Sequence, residues 1–150
     1  MKYINYTTIM NQVNNLIHDF NQYLSPQKAI QFIDENIYFD IENKGWYDIN
    51  LGETEFYGVY ILVGLEDINN TTVIYIGKAS LSKISNRLSS HLRQSKKEGS
   101  NGFNFYKRPY TLQRIYTINL DNMPFMASAL EEYLITNIHD IQLLNEVGLK

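Results

Sequence analysis

The sequence contains no cysteine among its 150 residues. This absence excludes a disulfide framework, a thiolate zinc site, a cysteine nucleophile and an iron–sulfur cluster. No stretch approaches the roughly 18 to 20 consecutive apolar residues of a transmembrane helix. Polar residues interrupt the N-terminal stretch MKYINYTTIMNQ, so no secretory signal is expected there. We therefore expect a cytoplasmic protein without a membrane partner.

Internal repeats and low-complexity tracts are also absent, and the composition is that of a globular domain. Hydrophobic residues make up 44% of the chain and charged residues 19%. These values argue against a disordered, collagen-like or coiled-coil protein. A chain of 150 residues has the usual length of one domain and can bury its own core. A single compact domain is therefore expected.

Basic residues are scarce outside one segment of the chain. The net charge of the whole chain is −3, yet residues 78–114 hold nine of the 13 Lys and Arg residues against one acid, Glu98, which makes this segment +8. Such a concentration of positive charge is typical of a surface that meets phosphate groups. A solvated lysine-rich loop would give the same count. Charge alone leaves both interpretations open.

Hydrophobic periodicity predicts an N-terminal helical extension over residues 1–50, packed on the core. Apolar residues recur at steps of three and four over residues 7–24, as on one face of an amphipathic helix. Ser25 and Pro26 fit an N-cap and a first helical position, which predicts a second short helix. Polar residues with two glycines then predict a connection over residues 43–55.

The remaining residues, 51–150, are predicted to form a ββαβα domain. Two segments rich in β-branched and aromatic residues predict strands, and the turn-rich linker between them suits antiparallel neighbours. The predicted elements are strands over 57–64 and 71–77, a helix over about 81–97, a strand over 111–119 and a helix over about 124–140. The predicted fold class is α+β, a small mixed or antiparallel three-stranded sheet flanked by helices.

Two acidic neighbours in the last predicted helix face different environments on a helical wheel. With Leu130 at 0° and about 100° per residue, Glu131 falls among the apolar positions, whereas Glu132 faces water. An isolated buried carboxylate is strongly unfavourable, so an inward Glu131 must be paired, protonated or bound to a cation. A structural salt bridge, or a carboxylate at the rim of the core, explains the same pattern.

The helix after the second strand places Arg87 and His91 one turn apart, at the edge of an apolar face formed by Leu81, Ile84 and Leu88. The planar guanidinium suits a phosphate group, and an imidazole takes or gives a proton near neutral pH. A histidine at a helix border is more often an ordinary residue at the edge of the core. The spacing alone does not decide between these roles.

Five short motifs, in order, resemble the GIY-YIG nuclease superfamily. The two strands carry Gly58-Val59-Tyr60 and Tyr75-Ile76-Gly77; the helices carry Arg87-Leu-Ser-Ser-His91 and Glu131-Glu-Tyr-Leu134-Ile135; Leu144-Asn145 is similar to the terminal element. The resemblance covers residues 57 to about 146. The stretch YIGKAS, with Lys78 directly after the second motif, is similar to the branch that contains restriction endonucleases.

The resemblance implies hydrolysis of a phosphodiester bond with one divalent cation, Mg²⁺ or Mn²⁺, held by Glu131. Tyr60 would be the general base that takes a proton from the attacking water. Tyr75 would orient the nucleophile or a metal-bound water. Arg87 would clamp the scissile phosphate and stabilise the charge of the transition state.

Three further residues receive roles from the same resemblance. A free phenol has a pKa near ~10, so Tyr60 would need Lys78, Arg87 or a metal-bound water to lower its pKa, or His91 to relay its proton. Asn145 would tie the metal-bearing helix to the sheet through side-chain hydrogen bonds.

The resemblance also implies DNA as the partner of the basic segment. Contacts to the phosphate backbone are expected from Lys83, Lys96, Lys97, Lys107, Arg108 and Arg114. The leading hypothesis is a DNA endonuclease of restriction or mobile-element type. An RNA-directed nuclease or toxin, and a nucleic-acid-binding module without catalysis, remain alternatives. One site cuts one strand, so double-strand cleavage would favour a homodimer or sequential nicking.

Overall fold

A computed structural model describes residues 6–31, 55–66, 71–88, 103–105 and 108–145, with the backbone alone for 103–105 and 108–113. The elements in chain order are α1 (Tyr6–Asn21), a 3₁₀ turn (Pro26–Lys28), β1 (Gly58–Glu66), β2 (Thr72–Ala79), α2 (residues 84–88), β3 (Phe103–Phe105), β4 (Arg108–Asn119), a 3₁₀ turn (Pro124–Met126), α3 (Ala127–Asn137) and β5 (Gln142–Leu143).

The described strands form one mixed sheet in the order β3-β4-β1-β2-β5. Strand β1 lies in the centre, antiparallel to both β2 and β4, and β5 pairs in parallel with β2. The expected α+β class is correct, but the expected count of three strands is wrong. Strands β3 and β5 have three and two residues, too short for an alternating hydrophobic pattern to show.

One face of the sheet packs against α1 and α3. Val59 and Ile61 of β1 are fully buried in one core with Leu130 and Leu134 of α3 and with Val13 of α1. Successive strand residues point to opposite faces. Val59 and Ile61 therefore mark the face of this core, and the residues between and beside them point away from it.

The opposite face carries Tyr60 and Leu62, both buried. The helix α2 covers this face with Ile84 and Leu88, which have no exposed surface. Its first turn is joined to the start of β1, because the Ile84 N–H donates to the Phe56 carbonyl at 2.8 Å. The residues of α2 therefore lie over the strand that carries the first tyrosine motif.

Helix α1 is part of the core, as its amphipathic stripe predicts. Its buried residues Ile9, Val13, Ile17 and Phe20 are those at the predicted spacing. The second predicted helix corresponds in the described residues to the 3₁₀ turn, and Ser25 makes no side-chain capping hydrogen bond. The rest of that prediction, and the domain boundary near residue 50, lie outside the described residues.

The helical-wheel prediction for the last helix is correct for its buried positions, and the corresponding prediction for α2 is correct in part. Leu130 and Leu134 are buried and Glu132 is exposed. Leu81, expected on the apolar face, is instead 99% exposed, because the helix begins only at residue 84. In the part of the chain that the structure describes, no helix has the length and apolarity needed to cross a bilayer.

Candidate active site

Tyr60 lies across β2 because its cross-strand partner is a glycine. The register pairs Tyr60 with Gly77, and a Cβ atom at position 77 would overlap the Cζ and hydroxyl oxygen of the Tyr60 ring. Any side chain there would displace the ring. The glycine of the second motif therefore makes room for the tyrosine of the first, which has no exposed surface.

Tyr75 lies beside Tyr60 on the same face of the sheet. It pairs with Leu62, so it is the diagonal neighbour of Tyr60 across the two strands. The ring centroids are 6.3 Å apart and the ring planes are inclined by 48°. Tyr75 is only half-buried, so this pair of phenols reaches from the interior of the sheet to its surface.

Burial raises the pKa of the Tyr60 hydroxyl well above its usual value of 10.0, and the neighbouring Tyr75 and Glu131 act in the same direction. The charge of Arg87 and its hydrogen bond to the phenol oppose this rise but do not overcome it. At neutral pH the Tyr60 hydroxyl is therefore protonated. Arg87 lowers the pKa of Tyr60, as the sequence predicted, but by less than burial raises it.

Arg87 occupies the exposed side of α2. Two backbone hydrogen bonds position it: the Arg87 N–H donates to the Lys83 carbonyl at 3.4 Å, and the Ile84 N–H donates to the Phe56 carbonyl. Its guanidinium reaches the hydroxyl of Tyr60 and keeps other N–H groups for a ligand. An exposed arginine fixed to a buried phenol suits the binding of a phosphate group.

Glu131 lies half-buried on α3, one residue from the buried Leu130 and beside the exposed Glu132. Loss of hydration raises the pKa of the Glu131 carboxyl above its usual 4.5, while the positive charges of Lys78 and Arg87 lower it and that of Glu132 raises it. The net direction is upward. Glu131 is therefore a carboxylate that gains from additional positive charge.

Lys78 and Asn145 connect β2 to the segment that contains α3. The exposed Lys78 donates from Nζ to the Ser128 Oγ atom at 2.8 Å. The side-chain amide of Asn145 accepts from the Ile76 N–H at 2.9 Å and donates to the Ile76 carbonyl at 2.7 Å. Asn145 thus pairs with the edge of β2 as a neighbouring strand would.

The structure places two of the residues that were predicted to contact phosphate, Lys83 and Arg114, in different parts of the molecule. Lys83 is exposed directly before α2, close in the chain to Arg87. Arg114 pairs with Val63, on the face opposite Tyr60, and its guanidinium carbon lies 3.9 Å from the ring centroid of Tyr6. The structure therefore does not bring Arg114 to the tyrosine face. His91, Lys96, Lys97 and Lys107, and the side chain of Arg108, lie outside the described residues.

Two residues near the site had no role in the sequence interpretation. Ser128 lies one helical turn before Glu131, and this spacing of three residues was the available signal. Thr117 pairs with Tyr60 on β4 and is 2% exposed, with no hydrogen-bond partner for its hydroxyl among the described residues. Strand alternation could not identify Thr117, because the pairing register of β4 with β1 is a tertiary property.

The chain also matches the model of a known protein family. The model of the GIY-YIG catalytic domain matches residues 56–143, which span all five described strands, α2 and α3. The chain belongs to the GIY-YIG family. No curated protein and no solved structure matches the chain significantly.

Membership of the GIY-YIG family implies a nuclease and therefore a nucleic-acid substrate. The match begins two residues before Gly58 and ends at Leu143, so α1 lies before it and Asn145 beyond it. Nucleases of the GIY-YIG family generally use a divalent metal ion.

The donor set around Glu131 fits a weakly coordinated hard cation. Among the described residues, no group of three His, Cys, Asp or Glu side chains is placed to hold a metal ion. Mg²⁺ needs no such group, because it commonly binds through one or two carboxylates, water and substrate phosphate. Glu131 is half-buried, and its loss of hydration raises its pKa, so a bound cation would favour its ionised form. Glu131 is thus the residue that would hold the ion.

Proposed function

We propose that this protein is a divalent-metal-dependent endonuclease that hydrolyses phosphodiester bonds in DNA. One observation supports this proposal above the others: the Tyr60 ring lies 6.3 Å from that of Tyr75. Arg87 and Glu131 are close enough to influence the pKa of Tyr60, although the four residues come from two strands and two helices. A purely structural salt bridge would not require two phenols. A shared site for one ligand accounts for the whole set.

Arg87 has the clearest role in the proposed reaction. Hydrolysis of a phosphodiester is extremely slow without a catalyst, since negative charge builds up on the phosphate as water attacks. Arg87 is exposed and already oriented by its hydrogen bond to Tyr60. Its free N–H groups would bind the non-bridging oxygens of the scissile phosphate and stabilise this charge.

The phenol of Tyr60 would receive the proton of the attacking water. Because burial holds this phenol protonated at neutral pH, its ionised form requires positive charge beyond that of Arg87. A divalent cation held by Glu131 would supply such charge and would polarise the phosphate. Tyr75, on the half-exposed side of Tyr60, would orient the attacking water through its hydroxyl group.

Substrate binding would rest on the basic segment of residues 78–114. Its net charge of +8 contrasts with the net −11 that the remainder of the chain must carry to give −3 overall. Lys83 and Arg87 extend this charge to the tyrosine face. Contacts of this kind bind the nucleic-acid backbone with little dependence on base sequence. The similarity of the stretch YIGKAS to the branch that contains restriction endonucleases favours a restriction role.

The decisive experiment is cleavage of supercoiled plasmid with Mg²⁺ or Mn²⁺ by the wild-type protein and by Glu131→Gln. We expect wild-type cleavage that EDTA abolishes. Glu131→Gln should lose at least about 100-fold in rate, as removal of a group that stabilises transition-state charge does. Its DNA affinity should be equal or higher, because a negative charge near the phosphates is removed.

The matched control is Glu132→Gln, which removes the same charge from the exposed side of the same turn. It should cleave at nearly the wild-type rate. Cleavage that persists in Glu131→Gln would contradict the role of Glu131, and DNA binding without cleavage in the wild type would indicate an inert binding module. Parallel digestion of duplex DNA, single-stranded DNA and RNA distinguishes the substrate classes, and product mapping distinguishes nicks from double-strand breaks.

A further inference from the structure

Lys78 projects from β2 towards α3, away from the two tyrosines. Its cross-strand partner is Val59, which belongs to the core shared with Leu130 and Leu134. The two members of a cross-strand pair lie on the same face of a sheet. The exposed ammonium of Lys78 therefore meets the side of α3 that carries Ser128 and Glu131.

Ser128 and Glu131 lie on the same side of α3, because residues three apart on a helix are neighbours. Lys78 Nζ donates to Ser128 Oγ at 2.8 Å. The charge of Lys78 acts on Glu131 without a hydrogen bond between them. The ammonium is thus held one turn away from the carboxylate, close enough to influence it and not bound to it.

This arrangement matters to a carboxylate that holds a cation. A direct Lys78–Glu131 ion pair would occupy the carboxylate oxygens that a metal ion requires. With its ammonium on Ser128, Lys78 leaves these oxygens free. An ammonium has three donors, so two remain for a phosphate oxygen of the substrate after one is used by Ser128.

We propose that Ser128 is a positioning residue of the active site: it holds the Lys78 ammonium beside Glu131 and prevents it from competing with the metal ion for the carboxylate. This inference rests on the proposed nuclease function. It assigns Ser128 a task beyond helix stability and specifies how Lys78 contributes to the site. The consequence is a weaker metal site when the Ser128 hydroxyl is removed.

The test measures metal binding and cleavage in Ser128→Ala, Ser128→Thr, Lys78→Met and the double variant. Mn²⁺ binding is followed by electron paramagnetic resonance without DNA, and the Mg²⁺ concentration for half-maximal cleavage is measured with plasmid. Ser128→Ala should weaken both by about 10-fold, the lower end of losses seen when a group that orients a metal ligand is removed. Ser128→Thr keeps the hydroxyl and should restore both values.

The double variant gives the distinguishing result. Without Lys78 there is no competing ammonium, so Ser128→Ala in the Lys78→Met background should leave Mn²⁺ binding unchanged from that of Lys78→Met alone. Thr136→Ala removes a hydroxyl from the exposed side of the same helix and should bind and cleave as the wild type does. Thermal unfolding of each variant verifies that the fold is intact.

Two failures are separable in this experiment. A wild-type protein that neither binds Mn²⁺ nor cleaves overturns the proposed function, and with it the positioning role. A wild-type protein that binds and cleaves, with Ser128→Ala equal to it, overturns the positioning role alone. An equal loss on Ser128→Ala with and without Lys78 does the same, because the hydroxyl would then act independently of the ammonium.

Discussion

Burial controls the protonation of Tyr60 and Glu131, two acidic groups of the candidate site. The pKa of Tyr60 and that of Glu131 are both raised, in each case chiefly by loss of hydration. Arg87 opposes the rise at both residues. At Glu131 the charge of Lys78 acts in the same direction as that of Arg87, and the two together do not overcome the loss of hydration. A divalent cation held by Glu131 would favour the ionised forms of both groups.

The raised pKa of Glu131 predicts that the stability of the protein depends on pH. A carboxyl whose pKa is higher in the folded than in the unfolded state contributes stability at low pH, and that contribution is lost as the pH rises through the folded pKa. Glu131 is such a group. In EDTA, the melting temperature of Glu131→Gln relative to the wild type should therefore be higher at about pH 7 than at about pH 4.

Calorimetry of both proteins at the two pH values checks this prediction, with Glu132→Gln as the exposed control. The melting temperature of Glu131→Gln minus that of the wild type would contradict it if this value were the same at both pH values or lower at neutral pH. Addition of Mg²⁺ at neutral pH should raise the melting temperature of the wild type more than that of Glu131→Gln, since a ligand stabilises the state that binds it.

The contact of Gly77 with Tyr60 is the second prediction at the scale of residues. A Cβ at position 77 would overlap the Tyr60 ring, so Gly77→Ala should cost about 1–3 kcal/mol, as overpacking of a core does. In the Tyr60→Ala background the ring is absent and the cost should largely disappear. Urea unfolding of the four proteins in this cycle provides the measurement. An equal cost in both backgrounds would show that the overlap is not its cause.

At the scale of elements, the edge of β2 determines where α3 lies. Strand β5 covers only Val73 and Ile74 of β2, and the next backbone groups on that edge, those of Ile76, are satisfied by the Asn145 amide. The chain enters β5 through Asp140, whose φ of 61° is in the left-handed region. Strand β5 and Asn145 together fasten the segment after α3 to the strand that carries Tyr75.

Removal of the Asn145 amide should therefore loosen α3 as well as β2. Asn145→Ala leaves a part-buried N–H and a carbonyl of Ile76 without their partner, at a cost of about 1–3 kcal/mol. Asn137→Ala is the control, because the exposed Asn137 makes its hydrogen bond within the last turn of α3 and should cost under about 0.5 kcal/mol.

Chemical denaturation and amide hydrogen exchange test this prediction. Exchange should accelerate for the backbone of β2 near Ile76 in Asn145→Ala and stay unchanged in Asn137→Ala. Equal stability of the two variants would show that water replaces the Asn145 amide without loss, and that β5 alone holds the edge.

At the scale of the whole molecule, the N-terminal helix shares its core with the family domain. Phe20 of α1 meets Tyr133 of α3 with ring centroids 5.3 Å apart. Gln12 of α1 accepts from the His139 N–H and donates to the His139 carbonyl. Helix α1 thus packs beside α3 in the core that both helices share with one face of the sheet. We propose that residues 1–50 are an extension of one domain formed with residues 51–150.

This arrangement predicts that residues 56–143 do not fold without α1. Ile17 has no exposed surface, so Ile17→Ala should cost about 2–5 kcal/mol, as other truncations of buried isoleucine do. Asn15→Ala changes an exposed position of the same helix and should change stability by less than about 0.5 kcal/mol. Thermal unfolding followed by circular dichroism compares the variants. A stable 56–143 fragment would contradict the shared core.

The sequence by itself determined the chemistry that is available and the local elements that carry it. β-Branched and aromatic content predicted β1 and β2, and period-two alternation predicted β4. Period-3.6 patterns predicted α1 and α3 and the different environments of Glu131 and Glu132, because all these signals depend on neighbours along the chain. The motif residues Tyr60, Tyr75 and Arg87 were likewise identifiable. The short strands β3 and β5 were not, because two or three residues carry no period.

Only the tertiary structure decided which of these groups meet. The register that sets Tyr60 over Gly77, the hydrogen bond from Lys78 to Ser128 and the placement of Arg114 on Tyr6 each join positions far apart in the chain. Such pairings are fixed by packing of whole faces and by the register shift between Val63 and Gly64. Local periodicity contains no information on either, since a strand keeps its pattern whichever strand it pairs with.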